Sequence, residues 1–283
     1  MRTLFAKFVT LVATFYYGSR VILAEKIGAR HGPGTILDTA PHRWARAIAR
    51  SANMRVLTHG RERLDLASPH VFAVNHVSIM DIPAILHAVP GSGFVAKREL
   101  SRVPLFGAAA RAVGVVYIDR ENRKSAFAAY EEAAERVRDG QSVIVFPEGT
   151  RGATYAIRPV KKGPFGLAIR AGVPIVPVLM HGTIEVTPLG TLDVTPGTVN
   201  VHLLEPIPTA GLSYDDRNDL ADRVQARMIE AMSSIYGVVP VRESSVQGQS
   251  LNASSSRTLP DAAAASSDPS LSDASASPTY TRP

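Results

Sequence analysis

The sequence of 283 residues contains no cysteine, which excludes disulfides, thiolate zinc sites and cysteine nucleophiles. It also lacks zinc-finger and RNA-recognition motifs and any lysine-rich arm, so nucleic acid is the weaker explanation for its net charge of +6. No Gly-x-Ser-x-Gly motif is present, which removes the usual sign of a serine nucleophile. These absences leave anionic lipids and phosphorylated substrates as the partners that a basic protein favours.

The composition is that of a folded protein with a polar tail. Hydrophobic residues make up 45% of the chain, enough to bury one large core. From Glu243 onward Ser, Ala, Asp and Pro predominate, and almost nothing can fill a core, which predicts disorder. This tail holds four acids and two bases, so residues 1–242 carry a net charge of +8.

Residues 2–24 are predicted to form an amphipathic helix. One side carries large apolar residues, namely Leu4, Phe5, Phe8, Leu11, Val12, Phe15 and Ile22, and the other carries Thr3, Lys7, Thr10, Thr14 and Gly18. The longest uncharged run of this segment, Phe8–Ser19, has twelve residues, whereas a helix that crosses a bilayer needs about 20. The favoured interpretation is a helix that lies in the membrane interface, and the alternative is a core helix packed on the domain.

A second short helix, His42–Arg50, is predicted after a turn over Gly28–Pro41. Arg43, Arg46 and Arg50 recur at intervals of three and four residues and therefore line one side of this helix. A basic stripe beside an apolar helix suits an anionic membrane surface, and a solvated charged face gives the same pattern. Residues 1–53 are accordingly predicted to be membrane-interfacial helices.

From Met54 onward, short apolar strands alternate with helices, which indicates an α/β fold with a largely parallel sheet over residues 54–240. The predicted strands are Arg55–His59, Val71–Asn75, Gly93–Ala96, Val115–Ile118, Val143–Phe146, Pro174–Leu179 and Thr198–Leu204. The predicted helices are Ile82–Ala88, Leu100–Val113, Lys124–Arg138, Phe165–Ala171 and Tyr214–Ile235. Residues 241–283 are assigned to the disordered Ser- and Ala-rich tail.

The most informative stretch is Val71–Asp81. Four apolar residues run into Asn75 and His76, and Asp81 follows five positions after the histidine, immediately before a helical pattern. Positions five apart do not share a helix face, so the pair requires a turn between them. In such a turn the Asp81 carboxylate can accept a hydrogen bond from Nδ1–H of His76 and leave Nε2 free as a general base. An ordinary strand-to-helix turn, with Asn75 as the cap, is the alternative.

A second buried strand ends in the loop Phe146–Arg151. Pro147 stops the ladder of backbone hydrogen bonds, and Gly149 permits a tight or left-handed turn. Glu148 can orient neighbouring donors, and Arg151 supplies a planar fork that suits phosphate. A Pro-Gly turn with surface charges is the alternative for this loop.

Other predicted strand ends carry cations. Arg120 follows the strand around Val115–Ile118, Lys97 follows the strand that begins at Gly93, and Lys161 and Lys162 come after the Arg151 loop. Sites in α/β folds gather at the carboxyl ends of the strands. The sequence therefore predicts a polar, basic basin at one edge of the sheet.

Four stretches resemble, in the same order, the blocks of the 1-acyl-glycerol-3-phosphate acyltransferase family. They are Asn75-His76 with Asp81, Gly114–Arg120, Phe146–Arg151 and Val173–Val178, and the resemblance covers residues 54–210. Tyr117 stands where the family more often has Phe, and Gly152 where Ser is common. The resemblance implies a glycerol-phosphate acyltransferase-like fold, a mixed and largely parallel sheet flanked by helices. The N-terminal segment lies outside the resembling stretches, and its pattern predicts a membrane-associated helix pair.

The same resemblance implies acyl transfer from a thioester, acyl-CoA or acyl-carrier protein, to the free hydroxyl of lysophosphatidic acid. His76 would be the base and Asp81 its orienting partner. The implied substrate-binding residues are Asn75, Lys97, Arg120, Glu148, Gly149, Thr150 and Arg151, of which Arg151 and Lys97 would hold the acceptor phosphate. Because a thioester is already activated, no cofactor or metal is expected.

The expected location is the cytoplasmic face of the cell membrane, on an anionic surface. Three alternatives stay open. The acceptor could be glycerol 3-phosphate, another lysophospholipid or a lyso-aminolipid. The protein could bind lipid without catalysis, which an intact His76–Asp81 pair disfavours. Water could replace the alcohol, which would make the protein a thioester hydrolase.

Overall fold

A computed structural model describes residues 1–32 and 34–239. Its strands are β1 (Met54–His59), β2 (Val71–Val74), β3 (Gly93–Lys97), β4 (Val116–Ile118), β5 (Val143–Val145), β6 (Ile175–His181) and β7 (Gly197–Leu203). They form one sheet in the order β1-β7-β6-β2-β5-β3-β4, and all neighbouring pairs are parallel except β6 and β7. The predicted mixed, largely parallel sheet is confirmed.

The helices are α1 (Arg2–Lys26), α2 (Ile36–Ser51), α3 (Asp81–Ala88), α4 (Phe106–Ala112), α5 (Arg123–Arg138), α6 (Gly163–Ala171), α7 (Thr183–Val186) and α8 (Arg217–Tyr236). Short 3-10 helices cover Arg61–Arg63, Arg98–Arg102 and Tyr214–Asp216. Over the two described ranges, no helix has the length and apolar character needed to cross a membrane.

Helices cover both faces of the sheet. Along β2 the side chains alternate: Val71 and Ala73 join a core built with α5, α6 and α8, whereas Phe72 and Val74 join a core built with α2 and α3. Because both faces are covered, all four residues of β2 are buried, which explains its uninterrupted apolar sequence.

Helix α1 packs against the protein through its small residues. Ala6, Ala13 and Gly18 are buried, and a Cβ atom added to Gly18 would lie 3.4 Å from side-chain atoms of Leu105 and Ala109. The large residues point outward: the exposed fractions of Leu4, Phe5, Phe8, Leu11 and Phe15 are 74%, 59%, 63%, 71% and 67%. The helix therefore combines a packed inner side with an apolar outer side, and its association with a membrane stays a prediction.

The second helix begins earlier than predicted, inside the stretch that was assigned to a turn. Thr35 caps α2 by accepting the backbone N–H of Asp38, and Asp38 in turn accepts the backbone N–H of Gly34 at 2.8 Å. Pro41 lies inside α2 and lacks the N–H of one helical hydrogen bond, but the paired caps and the packing of Leu37 and Ala40 sustain the first turns.

The helix predicted over Leu100–Val113 is wrong as a single element. A 3-10 helix ends at Arg102, and α4 begins only at Phe106. Pro104 lies in the break, and proline disfavours the helical conformation of the residue before it. Gly107 lets the two pieces approach closely, because an added Cβ would lie 2.1 Å from the carbonyl oxygen of Ser101.

The predicted tail, residues 241–283, lies outside the described residues. The boundary predicted after residue 53 falls between the end of α2 at Ser51 and the start of β1 at Met54. The division into a membrane-interfacial segment, an enzyme domain and a tail stays a prediction.

Candidate active site

His76 and Asp81 form the centre of the site. Nδ1 of His76 lies 2.8 Å from Oδ2 of Asp81, and the same oxygen accepts the backbone N–H of Val77 at 2.7 Å and of Ser78 at 2.8 Å. Asp81 is fully buried, whereas 16% of the His76 side chain is exposed. Because a carboxylate only accepts hydrogen bonds, the proton of the imidazole belongs on Nδ1, and Nε2 keeps its lone pair.

The turn between β2 and α3 explains why five residues separate the pair. Asp81 is the first residue of α3, and its carboxylate reaches back over the turn to the imidazole and to two backbone N–H groups. Ser78 also holds the turn in place, because its hydroxyl donates a hydrogen bond to the carbonyl of Thr187 at 2.7 Å. The predicted turn therefore presents the imidazole at the end of a buried strand.

Asn75, directly after β2, is hydrogen-bonded to the neighbouring strand β6 and does not cap α3. Its amide nitrogen donates to the carbonyl of Met180 at 3.1 Å, and its amide oxygen accepts the backbone N–H of Met180 at 2.7 Å. With 1% exposure and both polar ends engaged, Asn75 is placed to position His76, and the structure leaves it little surface for a substrate.

Glu148 connects the second predicted loop to the first. One carboxylate oxygen accepts the backbone N–H of His76 at 2.9 Å, and the other accepts Nε–H of Arg158 at 2.9 Å. Only 7% of Glu148 is exposed. Burial raises the pKa of Glu148, and the hydrogen bonds from His76 and Arg158 act in the opposite direction.

Arg158 is a residue of the site that the sequence analysis missed. Its guanidinium donates to Oγ1 of Thr150 at 3.2 Å and to the carbonyl of Thr150, in addition to its bond with Glu148. No motif marks this arginine, because its position depends on a loop that folds back after Arg151. The one available sign was Glu148, an acid beside a buried strand that requires a cationic partner.

The loop around Gly149 docks against the strand ends. Gly149 has φ of 82°, the left-handed conformation that favours glycine, and its carbonyl accepts a hydrogen bond from Nη1 of Arg120. The backbone N–H of Gly152 donates to the carbonyl of His76 at 2.7 Å. Arg151 between them is exposed and, among the described residues, forms no ion pair, so its guanidinium is available to an anion.

Lys97 lies at the same edge of the sheet but further from the imidazole. It ends β3, which is separated from β2 by β5, and its Nζ lies 3.1 Å from a carboxylate oxygen of Glu99. In the part of the chain that the structure describes, no hydrogen bond or ion pair joins Lys97 to His76 or to the Gly149 loop.

An aromatic contact leads from His76 to an apolar cleft. The ring of Phe146 stacks on the imidazole with centroids 4.0 Å apart, and Phe94 lies 6.2 Å from Phe146. Phe94 also lines a cleft of about 100 Å³ that is bounded by apolar residues of α1, α2, α3 and α4, including Trp44 and Leu86. Phe146 and Phe94 therefore lie between the imidazole of His76 and the cleft.

Within residues 1–32 and 34–239, no group of three or more His, Asp or Glu side chains is arranged to hold a metal ion. Oδ2 of Asp81 and both carboxylate oxygens of Glu148 are instead engaged with side-chain and backbone donors, whereas Oδ1 of Asp81 is buried without a partner among the described residues. The expectation that the reaction uses no cofactor stays a prediction.

Comparison with known proteins shows which class of enzyme this chain resembles. A family model described as Acyltransferase matches residues 55–181, a range that contains His76, Asp81, Glu148 and Arg151. The human 1-acyl-sn-glycerol-3-phosphate acyltransferase beta is 34% identical over 202 residues, which cover 70% of this chain and 73% of that protein. The chain belongs to the 1-acyl-sn-glycerol-3-phosphate acyltransferase family, and the resemblance inferred from the four blocks is confirmed.

Two further comparisons agree with this assignment. The human 1-acyl-sn-glycerol-3-phosphate acyltransferase alpha is 35% identical over 184 residues, 64% of this chain, and the match spans 65% of that protein, just under two thirds of its length. The crystal structure of the 1-acyl-sn-glycerophosphate (LPA) acyltransferase PlsC from Thermotoga maritima matches with a TM-score of 0.67 and 28% identity, over 82% of this chain and 95% of that one.

Proposed function

We propose that this protein transfers a fatty acyl group from a thioester donor, acyl-CoA or acyl-carrier protein, to the free hydroxyl of 1-acyl-glycerol-3-phosphate and so forms phosphatidic acid. The observation that carries the proposal is the oriented His76–Asp81 pair at a partly exposed strand end, where no other residue of the described chain binds Nε2 of the imidazole. The substrate class follows from the relatives, which are 1-acyl-sn-glycerol-3-phosphate acyltransferases.

The geometry supports direct attack by the acceptor alcohol. Nε2 of His76 takes the hydroxyl proton as the hydroxyl oxygen bonds to the thioester carbonyl carbon, and Asp81 stabilises the resulting imidazolium through Nδ1–H. The tetrahedral intermediate then expels the thiolate, which receives the proton from His76. Because the thioester is already activated, the reaction requires neither a metal nor a covalent intermediate with the enzyme.

Arg151 is the group that we assign to the acceptor phosphate. It is exposed beside the loop that is hydrogen-bonded to His76, and no acidic side chain of the described residues neutralises it. A guanidinium presents a fork that matches phosphate oxygens, and such charge-assisted hydrogen bonds contribute about 1.5–3 kcal/mol. Lys97, at the same edge, is assigned a weaker part in the same contact.

The apolar cleft next to Phe94 is the place that we assign to an acyl chain. Its walls are almost entirely hydrophobic, and Phe146 and Phe94 connect it to the imidazole. Removal of a methylene group from water contributes about 0.8 kcal/mol, so each methylene that enters this cleft strengthens binding without any polar contact.

We place the protein at the cytoplasmic face of the cell membrane. The apolar outer side of α1 and the exposed Arg43, Arg46 and Arg50 of α2 support this proposal, because an interfacial helix needs an apolar face and anionic headgroups attract nearby arginines. Such a location brings the site to the surface from which a lysolipid is taken.

The proposal is tested with the purified full chain and palmitoyl-CoA, by following phosphatidic acid with mass spectrometry and thiol release in parallel. The expected result is phosphatidic acid formation that depends on 1-acyl-glycerol-3-phosphate, with slow thiol release in its absence. Thiol release that is independent of any acceptor would identify a hydrolase. Faster transfer to glycerol 3-phosphate or to another lysophospholipid would replace the proposed acceptor.

A further inference from the structure

A second cavity, of about 450 Å³, opens beside the Gly149 loop on the face of the sheet that α5 and α6 cover. We define it as the basic cavity by its cations, Arg120, Arg123, Lys161 and Arg170, and its aromatic rings, Phe127, Tyr130 and Tyr214. Its volume lies within the range of about 300–1,000 Å³ that is typical of small-molecule sites.

Most of the positive charge of the basic cavity is not compensated by acidic side chains of the described residues. Arg170 is paired with Glu131, and its guanidinium lies 4.4 Å from the ring centroid of Phe127 and 4.5 Å from that of Tyr214. For Arg120, Arg123 and Lys161, the described residues provide no acidic partner. Three cations around one cavity focus a positive potential that favours a ligand with more than one negative charge.

The residues that α5 contributes combine charge with an aromatic surface. Arg123, Phe127 and Tyr130 are spaced at four and three residues, so they lie on one face of the helix. Phe127 is 46% exposed although it adjoins the cavity. A partly exposed ring next to arginines is a surface on which a nucleic acid base stacks.

The basic cavity adjoins the candidate active site. Phe146, whose ring stacks on His76, is also one of the residues that line the cavity, and α5 and α6 cover its other side. In 1-acyl-glycerol-3-phosphate the phosphate is attached to the carbon next to the one that bears the hydroxyl. Arg151 precedes Gly152, whose N–H donates to the carbonyl of His76, whereas Arg123 begins α5 after β4, which lies three strands from β2. The acceptor phosphate is therefore assigned to Arg151 and not to Arg123.

We propose that the basic cavity binds the phosphorylated adenosine end of coenzyme A, with Arg123 and Lys161 on its phosphates and the base against Phe127. The inference rests on the proposed acyl transfer and selects acyl-CoA as the donor. A carrier protein presents its thioester without a nucleotide and would leave the cavity unused. The thioester then lies at the strand ends, between the basic cavity on one face and the apolar cleft on the other.

The test compares palmitoyl-CoA with palmitoyl-pantetheine, which has the same thioester but no nucleotide, at saturating 1-acyl-glycerol-3-phosphate. Arg123→Gln and Lys161→Gln are each expected to raise KM for palmitoyl-CoA about 10- to 150-fold, the loss of one charge-assisted contact, and not to change KM for palmitoyl-pantetheine. Arg223→Gln, which removes an exposed arginine of α8 outside the cavity, is the matched control and should change neither constant.

Other outcomes overturn the proposal. An equal rise of KM for both donors would give these residues a structural role, and a rise of KM for the acceptor would assign the cavity to its phosphate. If the wild type transfers nothing from either donor, the proposed function fails, and the cavity is tested separately by titrating the resting protein with adenosine 3′,5′-bisphosphate. Binding that is lost in Arg123→Gln supports the cavity, whereas no binding to the wild type overturns it.

Discussion

The carboxylate of Glu148 accepts the backbone N–H of His76 at 2.9 Å, so the two loops that the sequence places 72 residues apart are joined by one hydrogen bond. A second bond, from the N–H of Gly152 to the carbonyl of His76, joins the same loops at 2.7 Å. His76 is thus held by its backbone on both sides and by Asp81 through its ring. Among the described residues, Nε2 of the imidazole has no hydrogen-bond partner, which supports the predictions below.

Replacement of His76 by alanine is expected to lower kcat about 10²- to 10⁴-fold, because a positioned general base contributes that much to proton transfer. KM for the acceptor should change little, since the imidazole acts mainly in the transition state. Steady-state kinetics with 1-acyl-glycerol-3-phosphate provide the measurement. His31→Ala, at an exposed histidine outside the site, is the matched control. Turnover near that of the wild type in His76→Ala would exclude the base mechanism.

Replacement of Arg158 by alanine should destabilise the protein and raise the pKa of Glu148 further, because this buried carboxylate loses its cationic partner. The loss of a hydrogen bond to a charged group costs about 1.5–3 kcal/mol. A folded-state pKa above the unfolded value means that the folded protein keeps a proton that the unfolded chain has released. The free energy of unfolding of Arg158→Ala should therefore fall as the pH rises through the raised pKa of Glu148.

Urea unfolding at a series of pH values, from the ordinary pKa of a glutamate at about 4.3 upward, measures this effect. In the double variant Arg158→Ala, Glu148→Gln the carboxylate is absent, so the additional pH dependence should disappear. Curves for the wild type and for Arg158→Ala that run parallel across this range would show that Arg158 does not act through Glu148.

The core of this fold could be predicted because local pattern and tertiary structure agree there. The uninterrupted apolar sequence of Val71–Val74 requires a strand with two covered faces, and the structure supplies them. The spacing of His76 and Asp81 required a turn, and only a turn brings Nδ1 to the carboxylate. Glycine at position 149 indicated a left-handed residue, which φ of 82° confirms.

The features of the fold and site that the sequence analysis missed depend on contacts between distant residues, which no local sequence pattern encodes. Arg158 belongs to the site because its loop returns to Glu148. The path of a loop depends on contacts with distant residues and cannot be predicted from the sequence of the loop alone. The early start of α2 depends on capping by Thr35 and Asp38, which a proline at position 41 obscures. The sequence also did not determine which side of α1 faces the protein, since small residues line one side and large ones the other. Only the packing shows that the side with small residues faces inward.

Replacement of Arg151 by alanine is expected to raise KM for 1-acyl-glycerol-3-phosphate about 10- to 150-fold, the effect of one charge-assisted contact with phosphate. A neutral acceptor such as monoacylglycerol should lose little, because it offers no phosphate. Lys97→Ala should act in the same direction but less strongly, since Lys97 is paired with Glu99 and lies two strands from His76.

The ratio of kcat/KM for the phosphorylated and the neutral acceptor is the decisive quantity for Arg151, with Arg223→Ala as the control at an exposed arginine of α8. The ratio should fall in Arg151→Ala and stay constant in the control. If Arg151→Ala lowers kcat/KM equally for both acceptors, Arg151 supports the loop or the donor, and the phosphate binds elsewhere.

Removal of the apolar side chains on the outside of α1 should release the protein from lipid vesicles. Deletion of residues 1–53 is a poor test, because Ala6, Ala45 and Ile48 belong to the core and their loss would unfold the domain. Phe8→Ser and Leu11→Ser instead alter side chains that are 63% and 71% exposed. Full burial of such a side chain contributes about 1.5–3 kcal/mol, so each change should weaken partitioning by roughly one to two orders of magnitude.

Sedimentation with vesicles that contain anionic phospholipid measures the partitioning, and Ile235→Ser is the matched control at a side chain that is 47% exposed on α8, on the other face of the sheet. High salt should weaken binding only in part, because it screens the arginines of α2 and leaves the apolar contact of α1. Unchanged sedimentation of the Phe8→Ser, Leu11→Ser double variant would show that a surface other than α1 meets the membrane. In that case the apolar side of α1 would require another partner, since a protein in water does not leave so many large apolar residues of one helix uncovered.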